Sequence, residues 1–201
     1  MDDTYKTIQE PSEGIFKDKG SRFIARAYPV ETVEEVKEIL AALRKEYHDA
    51  RHHCYAYRLG PGGATYRVND DGEPANSAGK PILGQLQSQD LTNVLIVVIR
   101  YFGGILLGVG GLINAYRSAA RESLDHAVIQ SKTFNNRVSI RFPYPSMNEV
   151  MKAIKESKAE IIRQESAMDC EITVQIRAGA ADSFITMLQR IDFVESQVIT
   201  W

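Results

Sequence analysis

Six consecutive aliphatic residues, Val94-Leu-Ile-Val-Val-Ile99, leave no polar position to face water. β-Branched side chains suit a pleated strand, and a strand apolar at every position is one covered on both faces. The run therefore predicts a central strand with other layers packed above and below it. It stops at Arg100, far short of the ~20 apolar residues that a membrane-spanning helix needs, so no membrane association is expected. With 44% hydrophobic and 25% charged residues among 201, the composition is that of a globular protein, which excludes disordered and collagen-like chains. The acidic start Met1-Asp-Asp3 lacks the basic and apolar regions of a secretory signal, so a cytoplasmic protein is expected. Cys54 and Cys170 fall in segments of different character, which fits unpaired thiols in a reducing compartment.

Glycine is crowded between Gly60 and Gly111, and after it only Gly179 remains. The change of character places a first domain at 1–130, a polar, turn-prone linker at 131–136 and a second domain at 137–201. In the first domain, strands are expected over Thr4–Gln9, Ser21–Val30, His53–Leu59, Ala64–Val68 and Val94–Ile99. Thr32 and Glu35 form a capping box for a helix with Val33, Val36, Leu40, Leu43 and Tyr47 on one face. Pro81 opens a short helix, and a longer one runs from the glycine loop to about Ala127 with Leu112, Tyr116, Ala120 and Leu124 inward. The second domain reads as strand, helix, strand, strand, helix, strand, a ferredoxin-like order. Its strands are Val138–Phe142, Ala159–Met168, Cys170–Arg177 and Phe193–Thr200, with Ser146 and Glu149 as capping box of its first helix. The expected class is thus α+β, an α/β sandwich followed by a ferredoxin-like domain.

Three segments carry candidate chemistry. Gly103-Gly104-Ile-Leu-Leu-Gly108-Val-Gly110-Gly111 follows the buried strand and opens a helix, where unbonded amides and the helix dipole suit an anion. Val109 and Gly110 stand where a Walker loop has lysine and Ser/Thr, and the third glycine of a dinucleotide fingerprint is missing, which disfavours nucleotide hydrolysis. Tight turns and close packing use glycine equally well. Asn114, Arg117 and Arg121 share one stripe of the following helix and extend the anion surface, although exposed arginines are common on any helix. Arg100 ends a buried strand, so its charge must be paired or face a cleft, with Asp71 or Glu73 as partner. Tyr101 and Phe102 offer stacking faces. The acidic loop Asp70-Asp71-Gly72-Glu73 favours a turn and lacks the alternating ligands of a calcium site; Asp71 and Glu73 are its metal candidates, and no cofactor is expected. His52-His53-Cys54 has no second Cys/His cluster to complete a zinc site, and Cys54 reads as core rather than as a nucleophile served by His52.

Lys19-Gly-Ser-Arg-Phe23, His52-His-Cys-Tyr-Ala56, Asn69-Asp-Asp-Gly-Glu-Pro74, Arg100-Tyr-Phe-Gly-Gly104, Gly108-Val-Gly-Gly-Leu112 and Ala115-Tyr116 together resemble the bacterial, YigZ-like members of the IMPACT family. The resemblance covers nearly the whole chain. It implies a first domain like domain 2 of ribosomal protein S5 and a second like domain V of elongation factor G, both folds of the translation machinery. It implies no established enzymatic activity. The kinase restraint associated with eukaryotic relatives, which carry a further N-terminal domain, is not carried over. Asn76 and Ser77 replace the family's usual glycine-threonine, Ile99 a usual threonine and Asn114 a usual arginine.

The leading expectation is a non-catalytic, translation-associated regulator that binds RNA, phosphate groups or a ribosomal surface. Its site would join Arg100, Tyr101, Gly103, Gly104, Gly108, Gly110, Gly111, Asn114, Arg117 and Arg121 to the acidic loop, with Ser21, Arg22 and His52 as accessories. With 24 basic and 26 acidic residues, such binding must come from a local patch rather than a global field. Two alternatives remain: a metal-dependent phosphate- or nucleotide-handling enzyme, and a protein–protein adaptor.

Overall fold

The computed structural model describes residues 3–166 and 169–199, which form two compact units, Tyr5–Lys132 and a second built from Thr133 onward together with Asp3 and Thr4. The first unit contains β1 (Thr4–Ile8), β2 (Ser12–Asp18), β3 (Ser21–Pro29), α1 (Val33–Glu46), β4 (His52–Leu59), β5 (Thr65–Asn69), α2 (Gly79–Ser88), β6 (Val94–Tyr101), α3 (Gly108–Asp125) and β7 (Ile129–Thr133). Five strands make an antiparallel sheet in the order β2-β3-β6-β4-β5, and β1 pairs with β7 in a separate ribbon.

The apolar run lies where its composition requires. Val94, Ile96 and Val98 pack with α2 and α3 residues such as Ile82, Leu86, Ala119 and Leu124, while Leu95, Val97 and Ile99 join Val36 and Leu43 of α1 on the other face. The period-2 alternation of one strand thus feeds two separate cores. Thr32 caps α1 as expected, its Oγ1 accepting the Glu35 amide at 3.2 Å, and the Glu35 carboxylate accepts the Glu31 amide at 2.7 Å. The four positions expected inward on α3, Leu112, Tyr116, Ala120 and Leu124, are all buried.

β2 is absent from the expected strands because Ser12–Asp18 holds only two large apolar residues and a glycine. Gly14 is there for packing: a Cβ on it would lie 2.3 Å from the Ser123 amide nitrogen, so α3 rests directly on the strand. The Ser12 hydroxyl donates to the Ser123 carbonyl across the same contact at 2.7 Å. The segment 131–136, read as a linker, is strand apart from Phe134, since β7 runs to Thr133 and β8 starts at Asn135.

The second unit adds β8 (Asn135–Pro143), α4 (Met147–Glu156), β9 (Glu160–Ser166), β10 (Asp169–Arg177), α5 (Ala178–Leu188) and β11 (Glu195–Ile199), in the expected order. Its antiparallel sheet runs β11-β8-β10-β9, with Val138, Ile140, Phe142, Ile172 and Val174 buried against Val150, Ile154, Phe184 and Leu188. Met168 and Thr200, expected strand ends, lie outside the described residues. The Ser146–Glu149 capping box does not form. A 3-10 turn at Tyr144–Ser146 leaves Ser146 in the right-handed helical region, and its hydroxyl donates instead to the Asp192 carbonyl at 3.2 Å. Asp3 accepts from Arg177 at 2.6 Å and from the Gly179 amide at 3.1 Å, which caps α5 from the start of the chain. Both cysteines are buried and unpaired, one in each unit. Among the described residues no helix is long and apolar enough to cross a membrane.

Candidate functional site

The acidic loop connects β5 to α2 through backbone that turns at Asp71 (φ 42°), Gly72 (φ 86°) and Asn76 (φ 63°). Asp70 is committed to the loop itself. Its Oδ1 accepts the amides of Ala78 at 3.0 Å and Gly79 at 2.8 Å, and its Oδ2 that of Asn76 at 2.9 Å. It therefore caps α2 from eight residues upstream, and the helix begins at Gly79, two residues ahead of Pro81. Asp71 turns toward α1, accepting from Arg44 at 2.8 Å and from the His53 amide at 2.7 Å.

Glu73 turns inward. Its Oε1 accepts from Arg100 at 2.6 Å and from the Tyr116 hydroxyl at 2.7 Å, with the Glu73 and Arg100 side chains only 4% and 7% exposed. This is the partner that a charge at the end of a buried strand requires. The guanidinium sits between the rings of Phe23 and Phe102, 5.4 and 5.6 Å from their centroids, and its Nε has no hydrogen-bond partner among the described residues. Cys54 Sγ lies 3.3 Å from the Tyr116 hydroxyl and 3.0 Å from the Asp70 carbonyl. Burial pushes the Cys54 thiol and the Tyr116 phenol well up, so both stay protonated at neutral pH. His52 is turned to the Asp71 carbonyl, 2.8 Å from Nδ1, and does not serve as a base to Cys54. Among the described residues no three His, Cys, Asp or Glu side chains are grouped to hold a metal. The carboxylates of the acidic loop already point in three directions.

Strand alternation separates two residues expected to share a cleft. Arg100 faces α2 and α3, whereas Tyr101 packs with the α1 face. Tyr101 donates to Asp49 at 2.7 Å, and Arg22 stacks over its ring at 4.9 Å. The hydrogen bond to Asp49 raises the Tyr101 phenol and lowers the Asp49 carboxyl. Tyr101 and Arg22 thus leave the site next to Glu73.

The glycine loop divides by position. A Cβ on Gly103 would stand 1.9 Å from the carbonyl carbon of Gly20, and its amide already donates to the buried Ser21 hydroxyl at 3.1 Å. Gly103 and Ser21 are packing residues, not anion ligands. Gly108, Gly110 and Gly111 belong to the first turn of α3, and among the described residues no side chain caps that end. Gly104, Gly108 and Gly110 are exposed, and a Cβ on any of them would meet nothing within 4 Å. Between and around them Phe102, Ile105, Leu106 and Val109 are exposed, Leu106 at 82%. Phe102 is thus open at this apolar tip, as a stacking face requires, whereas Ile105, Leu106 and Val109 read in the sequence only as members of the glycine loop. Asn114 and Arg117 are exposed further along α3, while Arg121 pairs with Asp125 at 3.6 Å. Thirteen residues of helix put Arg121 roughly 20 Å from Gly108, too far to share one phosphate with the amides.

Burial alone would raise the Asp71 carboxyl, but the Arg44 hydrogen bond, the His53 amide and the Arg44 charge outweigh it and hold the group below its usual 3.8. A depressed carboxyl contributes stability that is full above the unfolded value and is lost as pH falls through the folded one. Asp71→Asn, which keeps a residue tolerant of positive φ, should therefore unfold at lower urea than the wild type at pH 7. The gap should close as pH falls below 3.8 and on through the depressed folded value; a gap that persists beyond it would assign the loss to packing.

The sequence matches the Impact N-terminal domain over residues 19–124. It is 34% identical over 155 residues to the IMPACT family member YvyE of Bacillus subtilis, covering 77% of this chain and 71% of that one. It is 33% identical over 172 residues to the IMPACT family member YigZ of Escherichia coli, covering 85% and 84%. Protein IMPACT of Rattus norvegicus is 35% identical over 94 residues, 45% of this chain but 30% of that one. A solved structure described as a hypothetical protein superposes with a TM-score of 0.76 at 29% identity, covering 100% of this chain and 99% of that one.

Proposed function

The chain belongs to the IMPACT family, and from that premise we propose that it is a non-catalytic, translation-associated regulator of the cytoplasm that binds ribosomal RNA through the start of α3. The observation that carries this reading is the uncapped, exposed first turn of α3, whose glycines leave its amides open to a phosphate. Asn114 and Arg117 continue the surface along the helix, which suits a chain of phosphates better than a single one. Within the apolar tip the exposed Phe102 ring suits the face of an unstacked base, a contact that contributes ~1–3 kcal/mol per base, and Ile105, Leu106 and Val109 add apolar surface beside it. The order β11-β8-β10-β9 supports a ferredoxin-like second domain similar to domain V of elongation factor G. The five-stranded sheet between α1 and the α2–α3 layer supports a first domain like domain 2 of ribosomal protein S5. The alternative of a metal-dependent enzyme loses its candidates, because Asp71 and Glu73 are engaged by Arg44 and Arg100.

Filter binding to ribosomes and to structured RNA tests the reading. Affinity should fall steeply with salt, and Arg117→Gln should flatten the log–log slope by about 0.7–0.9, one phosphate contact. Absence of salt-sensitive binding at low ionic strength counts against it.

A further inference from the structure

The first unit holds a second polar recess at the opposite end of β6, roughly 25 Å of strand away from the glycine loop. It encloses about 270 Å³ where the β3–α1 junction, the turn before β6 and β7 come together. Pro29 and Val30 line its apolar part. Asn93 also lines it, 7% exposed and in the left-handed region at φ 57°. The residue is pinned from both ends: its Oδ1 accepts the Gly60 amide at 2.9 Å, and its carbonyl accepts the Val30 amide at 3.0 Å and the Thr7 hydroxyl at 3.2 Å. The remaining side-chain donor, Nδ2, has no hydrogen-bond partner among the described residues. Tyr5 and Thr7 of β1 also line it, together with three charged side chains, Glu31 and Glu35 from the β3–α1 junction and Lys132 from β7. One Glu35 oxygen holds the Glu31 amide, whereas the Glu31 carboxylate and the Lys132 ammonium have no ion-pair partner among the described residues.

We propose that this recess binds a free α-amino acid. The two carboxylates receive its ammonium group, Lys132 and the Asn93 Nδ2 receive its carboxylate, and Pro29 and Val30 receive its side chain. Opposite charges brought by different elements select a zwitterion: a simple amine leaves Lys132 unanswered, and a simple acid meets Glu31 and Glu35. The volume lies just below the ~300–1,000 Å³ of sites for drug-sized ligands, which fits a small metabolite. The site is independent of the glycine loop.

Calorimetry of the full chain against each of the common amino acids, at low ionic strength, tests the assignment. At least one amino acid should bind saturably, and Glu31→Gln and Lys132→Gln should each weaken it by about tenfold or more, the loss of one charge-assisted hydrogen bond. Both residues are exposed, so the circular dichroism of the variants should match the wild type. For the best ligand, the matching amine without its carboxylate should bind more weakly and be indifferent to Lys132→Gln. Arg117→Gln, which weakens RNA binding in the reading above, should leave amino-acid binding unchanged. No saturable heat up to about 10 mM, a range that reaches the weakest specific affinities, overturns the proposal, as does binding that neither variant weakens.

Discussion

Glu73→Ala should destabilise the first unit by about 3–5 kcal/mol, the loss expected when one partner of a buried ion pair is removed and the other charge stays behind. Glu73 Oε1 is the shared acceptor for the Arg100 guanidinium and the Tyr116 hydroxyl, so truncation strands a cation and a phenol in the α2–α3 core. Replacing both charges, with Arg100→Met and Glu73→Leu, should recover a large part of the loss, because an apolar pair of similar volume leaves only the Tyr116 hydroxyl without its acceptor. Urea denaturation followed by hydrogen exchange at the β6 amides reads the first unit separately from the second. A loss below ~1 kcal/mol in Glu73→Ala would show a pair already satisfied by water.

A comparably large effect is expected within the glycine loop, at the one position where a Cβ would strike backbone. Gly103→Ala drives a Cβ into the Gly20 backbone at 1.9 Å, where no flexible side chain can yield. The cost should reach or exceed the upper end of the ~1–3 kcal/mol seen for overpacking. Gly110→Ala, seven residues on, meets nothing within 4 Å inside α3 and should stabilise by roughly 0.5–1 kcal/mol, the usual gain of alanine over glycine in a helix. Thermal unfolding of the two variants side by side makes the comparison. If both were equally damaging, the contact between Gly103 and Gly20 would not be what demands glycine there.

These two glycines show where sequence reasoning stopped. A run of glycines announces conformational freedom or close approach without saying which, and the choice rests on what lies opposite in space. Gly103 meets the Lys19-Gly20 turn, some eighty residues earlier, while Gly110 meets solvent. Asp70 followed the same rule: its place in an acidic loop left its partners open, and three amides brought around by the turn at Asp71 and Gly72 occupy it. Gly14 hid a strand because the property that places it there, the absence of a Cβ beneath α3, carries no periodic signal.

What the chain's own residues settled was whatever follows from period and burial. The aliphatic run at Val94–Ile99 demanded two covered faces, the α3 stripe chose its inward side, and the charge at Arg100 demanded a nearby acid. These are local rules of alternation and desolvation, legible without a fold. Tertiary structure alone decided which acid answers Arg100 and that Ile105, Leu106 and Val109 face water. Each depends on distances between segments remote in sequence, and no pattern along a chain encodes a distance across it.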